Sequence, residues 1–131
     1  MQMSGKYLLD TNIVIALFAN DPAVVGKIEK TEEIFVPSVV IGELFYGAKK
    51  SGRPERNSER IEIFVSDNMI LSCNARIARL YGKVKNSLRK KGRPIPENDI
   101  WIAATAFQHD LILVSRDEHF EAVEDLKLEI W

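Results

Sequence analysis

Cysteine is almost missing from this chain: Cys73 is the only one in 131 residues. That excludes a disulfide framework and a thiolate-held zinc site. Histidine is nearly as scarce, with only His109 and His119. Neither has the partner spacing of a Ser-His-Asp set, and both are expected at the surface or at helix ends. Long apolar runs are lacking too, since no stretch approaches the roughly 20 residues needed to cross a bilayer. The N-terminal segment offers one early lysine and the short run Tyr7 to Leu9, which is no signal peptide. A cytoplasmic protein that makes no membrane contact is therefore expected. An excess of one charge is also absent: 18 bases against 19 acids give a net charge of -1, so the chain as a whole is no general polyanion binder.

What is present is an ordinary globular composition, 46% apolar and 28% charged, long enough to bury a real core as a single domain over residues 1–131. Short apolar segments alternate with helical patterns. Strands are predicted at Lys6 to Leu9, Glu33 to Val36, Met69 to Leu71, Leu111 to Val114 and Leu126 to Trp131. Helices are predicted from Thr11 to Ala19, Pro22 to about Lys30, and after Pro37 with Ser38 as a plausible cap. Further helices are expected over Glu55 to Ser66, Asn74 to Lys91, and from Glu97 or Asn98 to about His109. Alternation of this kind indicates an α/β fold with a parallel sheet covered on both faces. No repeat, linker or low-complexity tract interrupts it.

Four acids stand beside segments that read as buried. Asp10 ends Tyr7-Leu8-Leu9, Glu43 lies within Val39 to Phe45, Asp99 opens Ile100 to Ala104, and Asp117 follows Leu111 to Arg116. Each alone has an ordinary explanation: a helix cap for Asp10, a first-turn acid for Asp99, a turn acid for Asp117, a solvated helix face for Glu43. Jointly, all four fall at one end of the same architecture, the carboxyl end of the strands where open parallel sheets bind ligands. Two carboxylates about 5 Å apart repel by roughly 3 kcal/mol at an effective dielectric near 20. Such a group takes up protons or binds a hard cation, and oxygen donors suit Mg²⁺ or Mn²⁺. Hydrolysis of a phosphodiester needs an activated water and neutralised phosphate charge, which carboxylates and a metal supply. Thr11 and Ser115 have no adjacent base and read as groups that orient a carboxylate or a water.

The ordered set of these segments resembles the PIN (PilT N-terminus) domain. Asp10-Thr11-Asn12 is similar to its opening, Pro37-Ser38 with Gly42-Glu43-Leu44-Phe45-Tyr46-Gly47-Ala48 to its second element, Glu97 to Ala106 to its third, and Leu113-Val114-Ser115-Arg116-Asp117 with Phe120 to its fourth. The short length resembles the VapC-type toxins of that family. The resemblance implies a three-layer domain with a five-stranded parallel sheet. It implies a metal-dependent endoribonuclease that leaves 3′-hydroxyl and 5′-phosphate ends. It also implies a cognate antitoxin, and a homodimer or toxin–antitoxin hetero-oligomer. By position, Asp10, Asp99 and Asp117 would be metal-ligating aspartates and Glu43 the acidic residue between them, all four catalytic, with Thr11, Asn12 and Ser115 at the family's polar positions. The segment between Lys49 and Lys91 matches no family motif.

An acidic site repels RNA, so cations must offset it. Residues 68–96 hold eight of the 18 bases and none of the acids. Arg89, Lys90, Lys91 and Arg93 lead through a loop to Asp99, and Lys49 and Lys50 follow Glu43's helix. These six are the candidate phosphate contacts; the alternative is a solvated helix end. Other readings are weaker. A receiver-like signalling domain needs an acid beside Asp10 and a late lysine, and a phosphatase with an Asp-x-Asp start is excluded by Asn12. A catalytically silent binding module on the same fold stays open.

Overall fold

Leu8, Leu9, Leu113 and Val114 are fully buried, although neighbouring residues on a strand face opposite ways. Only a sheet covered on both sides hides such pairs. The computed structural model, which describes residues 3–131, has that architecture. Its five strands are all parallel and run in the order β3-β2-β1-β4-β5. They are β1 (Met3–Leu9), β2 (Thr31–Pro37), β3 (Met69–Leu71), β4 (Ile112–Val114) and β5 (Leu128–Glu129). The helices are α1 (Thr11–Phe18), α2 (Pro22–Lys30), α3 (Ser38–Lys49), α4 (Pro54–Asp67), α5 (Ala75–Lys91) and α6 (Glu97–His109), with a short 3-10 helix over Glu118–Ala122.

Local chemistry sets most boundaries. Asp21 caps α2 by accepting from Ala23 N and Val24 N, with Pro22 in the first turn. Asn74 caps α5 through Ile77 N at 3.0 Å, and Gly92, at φ 67, closes it in the left-handed conformation that glycine adopts freely. Two expectations need correction. Ser38 does not cap α3: Pro37 ends β2 in extended conformation, takes the cap position and makes no side-chain cap bond, so Ser38 is the first helical residue. The last strand is shorter than 126–131 because only Leu128 and Glu129 pair with β4. Trp131 instead turns its ring onto Tyr7, centroids 5.3 Å apart, and its carbonyl accepts from Arg116 Nε at 2.7 Å.

The order of the strands positions the site. After β1 the chain builds outward on one side through β2 and β3, then crosses to build β4 and β5 on the other. The carboxyl ends of β1 and β4 are therefore the switch point of the sheet, where a crevice opens.

Candidate active site

Asp10 follows β1 immediately, and its N–H donates to Val114 O at 3.0 Å, tying it to the end of β4. Asp10 is only 4% exposed, so its charge requires partners. Oδ1 accepts from Thr11 N at 2.8 Å. Oδ2 accepts from Ser115 Oγ at 2.7 Å and from Asn12 Nδ2 at 3.4 Å. The same two side chains bind the loop after β4: Asp117 N donates to Ser115 Oγ at 2.9 Å and Arg116 N to Asn12 Oδ1 at 3.2 Å. Asp10 does cap α1, and the cap and the crevice coincide. Thr11 reaches the other way, its hydroxyl donating to Glu43 Oε1 at 3.0 Å. The three polar residues singled out in the sequence thus hold Asp10, Glu43 and the Asp117 loop in one frame.

Asp99 lies in the first turn of α6, where the helix dipole favours an anion. A single recess of about 410 Å³ is lined by Glu43, Pro96, Glu97, Asn98, Asp99 and Asp117. Asp117 caps the 3-10 helix by accepting from His119 N at 2.9 Å. That tight turn brings back a residue the sequence reading left outside. His119 Nδ1 stands 3.0 Å from Asp117 Oδ1 and 3.4 Å from Asp99 Oδ2. Asp99, Asp117 and His119 each offer a ligand atom, all within 4.8 Å of one another. His119 is exposed, as expected of it, yet its ring faces the acids. Its only signal in the sequence is the two-residue spacing from Asp117.

Crowding raises the cost of charge. The Asp99 carboxyl is pushed up to about 6, first by burial and then by repulsion from Asp10 and Asp117, with His119 opposing. Burial raises Asp10 as well, against the bonds from Ser115 and Thr11, with repulsion from Asp117 adding to the rise. Glu43 is raised by burial and by Asp10, and lowered by the Thr11 bond. The four acids are thus coupled electrostatically, Asp10 with Glu43, Asp99 and Asp117, and Asp99 with Asp117.

The PIN domain family model matches residues 7–126, a span that contains every one of these groups. The chain belongs to the PIN domain family, in its VapC branch. It is 43% identical to ribonuclease VapC2 of Haemophilus influenzae over 96% of this chain and 98% of that one. It is 39% identical to the tRNA(fMet)-specific endonuclease VapC of Shigella flexneri, at the same coverage. The fold superposes on the VapBC2 structure from Rickettsia felis bound to a promoter DNA fragment with a TM-score of 0.87 and 31% identity, covering 98% of this chain and 99% of the other. For DNA-bound VapBC from Salmonella typhimurium the TM-score is 0.88 at 30% identity, covering 100% and 99%.

The basic residues of this PIN domain are spread unevenly around the crevice. Arg93 lines a recess with Pro94, Ile95, Glu118 and His119, the last of which faces Asp99 and Asp117. Lys91 pairs with Glu124 at 3.4 Å. Arg89 and Lys90 are exposed at the end of α5. Lys49 and Lys50 do not line the acidic recess, and Lys50 lies over the Tyr46 ring, 4.8 Å from its centroid. Glu97, at the mouth of the recess, is bonded to Lys85 and Tyr81, and the Tyr81 ring stacks on Trp101 with centroids 3.9 Å apart. Sequence reasoning had no motif for α5 and missed this rim. On the far side of Glu43 runs a second groove, lined in part by Ile15, Phe18, Leu44, Gly47 and Ile61. Phe18 lies in it, whereas exposed Tyr46 is not among its lining residues.

Proposed function

We propose that this chain, acting as one domain over residues 1–131, is a Mg²⁺- or Mn²⁺-dependent endoribonuclease and the toxin of a toxin–antitoxin pair. The observation that carries the reading is the convergence of Asp10, Glu43, Asp99 and Asp117 at the sheet switch point, with Asp99 pushed up to about 6 by burial and then by its acidic neighbours. The relatives' names, ribonuclease and tRNA(fMet)-specific endonuclease, supply the substrate class. The donor set fits a hard divalent cation, being rich in carboxylate oxygen and short of compensating positive charge. Asp10, Asp99 and Asp117 would hold the ion, with Glu43 completing the acidic wall. When bound, it would polarise the phosphate and lower the pKa of a water.

The chain's own residues then have distinct tasks. Ser115 and Asn12 fix the Asp10 carboxylate, and Thr11 fixes Glu43. Each hydrogen bond favours the ionised form and so keeps the acids available at neutral pH. Attack of water at phosphorus with departure of the ribose 3′-oxygen leaves a 3′-hydroxyl and a 5′-phosphate. The test is cleavage of total RNA, and first of initiator tRNA, by the parent and by Asp10→Asn and Asp99→Asn variants with Mn²⁺ present.

Arg93, Arg89, Lys90 and Lys91 are proposed to hold phosphates of the RNA on the α5 side of the crevice. Neutralising all four is expected to weaken RNA binding and flatten its salt dependence, each lost contact reducing the log-log slope by roughly 0.7 to 0.9. An unchanged slope in a filter-binding titration would assign the tract to solubility or to a protein partner.

An antitoxin partner is part of the same reading, since the similar solved structures are VapBC assemblies. Glu43 lines both the acidic recess and the groove beside Phe18. A partner segment lying in that groove would reach the acids, where a guanidinium matches carboxylates in bidentate fashion. Replacing the antitoxin's arginines and lysines one at a time is expected to identify one whose loss restores cleavage. Full inhibition by every variant would show that occlusion does not use a cation.

A further inference from the structure

We propose that His119 is a nitrogen ligand of the metal, so that the site is a mixed carboxylate–imidazole centre that prefers Mn²⁺ to Mg²⁺. The inference rests on the metal-dependent reading above and goes beyond it in naming the donor and the selectivity. Nδ1 lies 3.0 Å from an oxygen of Asp117 and 3.4 Å from one of Asp99. Adjacent ligand atoms around an octahedral ion with bonds of about 2.1 Å are roughly 3 Å apart. Nδ1 thus stands at about adjacent-corner spacing from an oxygen of each aspartate, and the three ligand atoms all lie within 4.8 Å of one another. The backbone keeps the imidazole there: His119 N donates to Asp117 Oδ1, and Phe120, the next residue, is buried in the core as an anchor. Ligation takes the neutral ring with its proton on Nε2. The ring is half-exposed, which leaves that N–H free to meet water.

Imidazole is a softer donor than carboxylate, and affinity of a nitrogen-containing site rises from Mn²⁺ along the first-row series, whereas Mg²⁺ favours oxygen. One nitrogen among oxygens therefore tilts the centre towards Mn²⁺ without excluding Mg²⁺. The other histidine cannot serve, because His109 ends α6 while Asp99 begins it, about 15 Å away along the axis.

The experiment is pulsed electron paramagnetic resonance of tag-free protein loaded with one equivalent of Mn²⁺, together with calorimetric titration of Mn²⁺ and Mg²⁺. The parent is expected to show ¹⁴N modulation from a directly bound imidazole. His119→Gln and His119→Asn should each lose it, weaken Mn²⁺ binding at least about tenfold, and change Mg²⁺ binding by much less. A parent spectrum without nitrogen modulation overturns the role even if one variant folds poorly, and the second variant keeps the assignment of a positive signal to His119 testable. Mn²⁺ bound by the parent without nitrogen modulation, or modulation that survives both substitutions, overturns the role of His119 and leaves the carboxylate centre standing. Failure of the parent to bind Mn²⁺ at all overturns both readings.

Discussion

Asp99→Asn is expected to lower RNA cleavage at least about a hundredfold while leaving the protein folded, since losing a direct ligand should cost at least as much as losing a supporting partner of one. Among the described residues the Asp99 carboxylate has no partner beyond its contact with His119, so the amide replaces it without orphaning a buried donor. Its removal also relieves repulsion. The folded carboxyl is pushed up to about 6, above its unfolded value near 3.9. The metal-free fold therefore holds that proton more tightly than the unfolded chain does. The contribution of Asp99 to stability is greatest below about pH 4 and is lost as pH climbs to about 6. Above that window the ionised carboxylate costs the fold about 1–2 kcal/mol, after allowing for solvent screening at a half-buried site. Metal-free Asp99→Asn should thus be more stable than the parent at pH 7.5 by that amount, with the gain vanishing towards pH 4. Asp10→Asn should be equally inactive but no more stable, because the new amide meets the donors Ser115 Oγ and Asn12 Nδ2. Cleavage assays and denaturant melts at two pH values check both statements. Parental cleavage by Asp99→Asn with Mn²⁺ present would remove Asp99 from the mechanism. An inactive parent would point instead to a silent binding module.

Adding Mn²⁺ to the parent at pH 7.5 should stabilise it by about 2.7 kcal/mol at a hundredfold excess over the dissociation constant. For a domain of this size that is a rise in Tm on the order of 10 °C. Burial, and after it repulsion between the acids, raises Asp10, Glu43 and Asp99; a cation would offset both, so protons compete with it. The shift should shrink as pH falls through about 6, where Asp99 takes up its proton. Differential scanning fluorimetry across pH 5 to 8 measures this directly. An equal shift in the parent and in Asp99→Asn would place the cation elsewhere on the molecule.

The sequence by itself determined the alternation of strands and helices, and with it the place of each acid: Asp10 at a strand end, Glu43 inside a helix, Asp99 in a first turn, Asp117 in a loop. Those features depend on apolar periodicity, caps and turn residues, which act over a few positions along the chain. They also made Thr11, Asn12 and Ser115 visible as groups beside the acids. The family pattern was legible for the same reason, since its motifs are short and ordered. Tertiary structure alone decided what those residues meet. Placing β1 between β2 and β4 brings Ser115 against Asp10 across 105 positions of chain and Glu43 against Thr11 across 32. The 3-10 turn after Asp117 swings His119 back to the carboxylates. The pairing of Trp131 with Tyr7 shortens β5. Lys49 and Lys50 do not line the acidic recess, while Arg93 shares a recess with His119. Local dihedral preferences say nothing about which strands pair or which way an exposed ring turns. Both are fixed by burial and hydrogen bonds between segments far apart in sequence, which exist only once the sheet has closed.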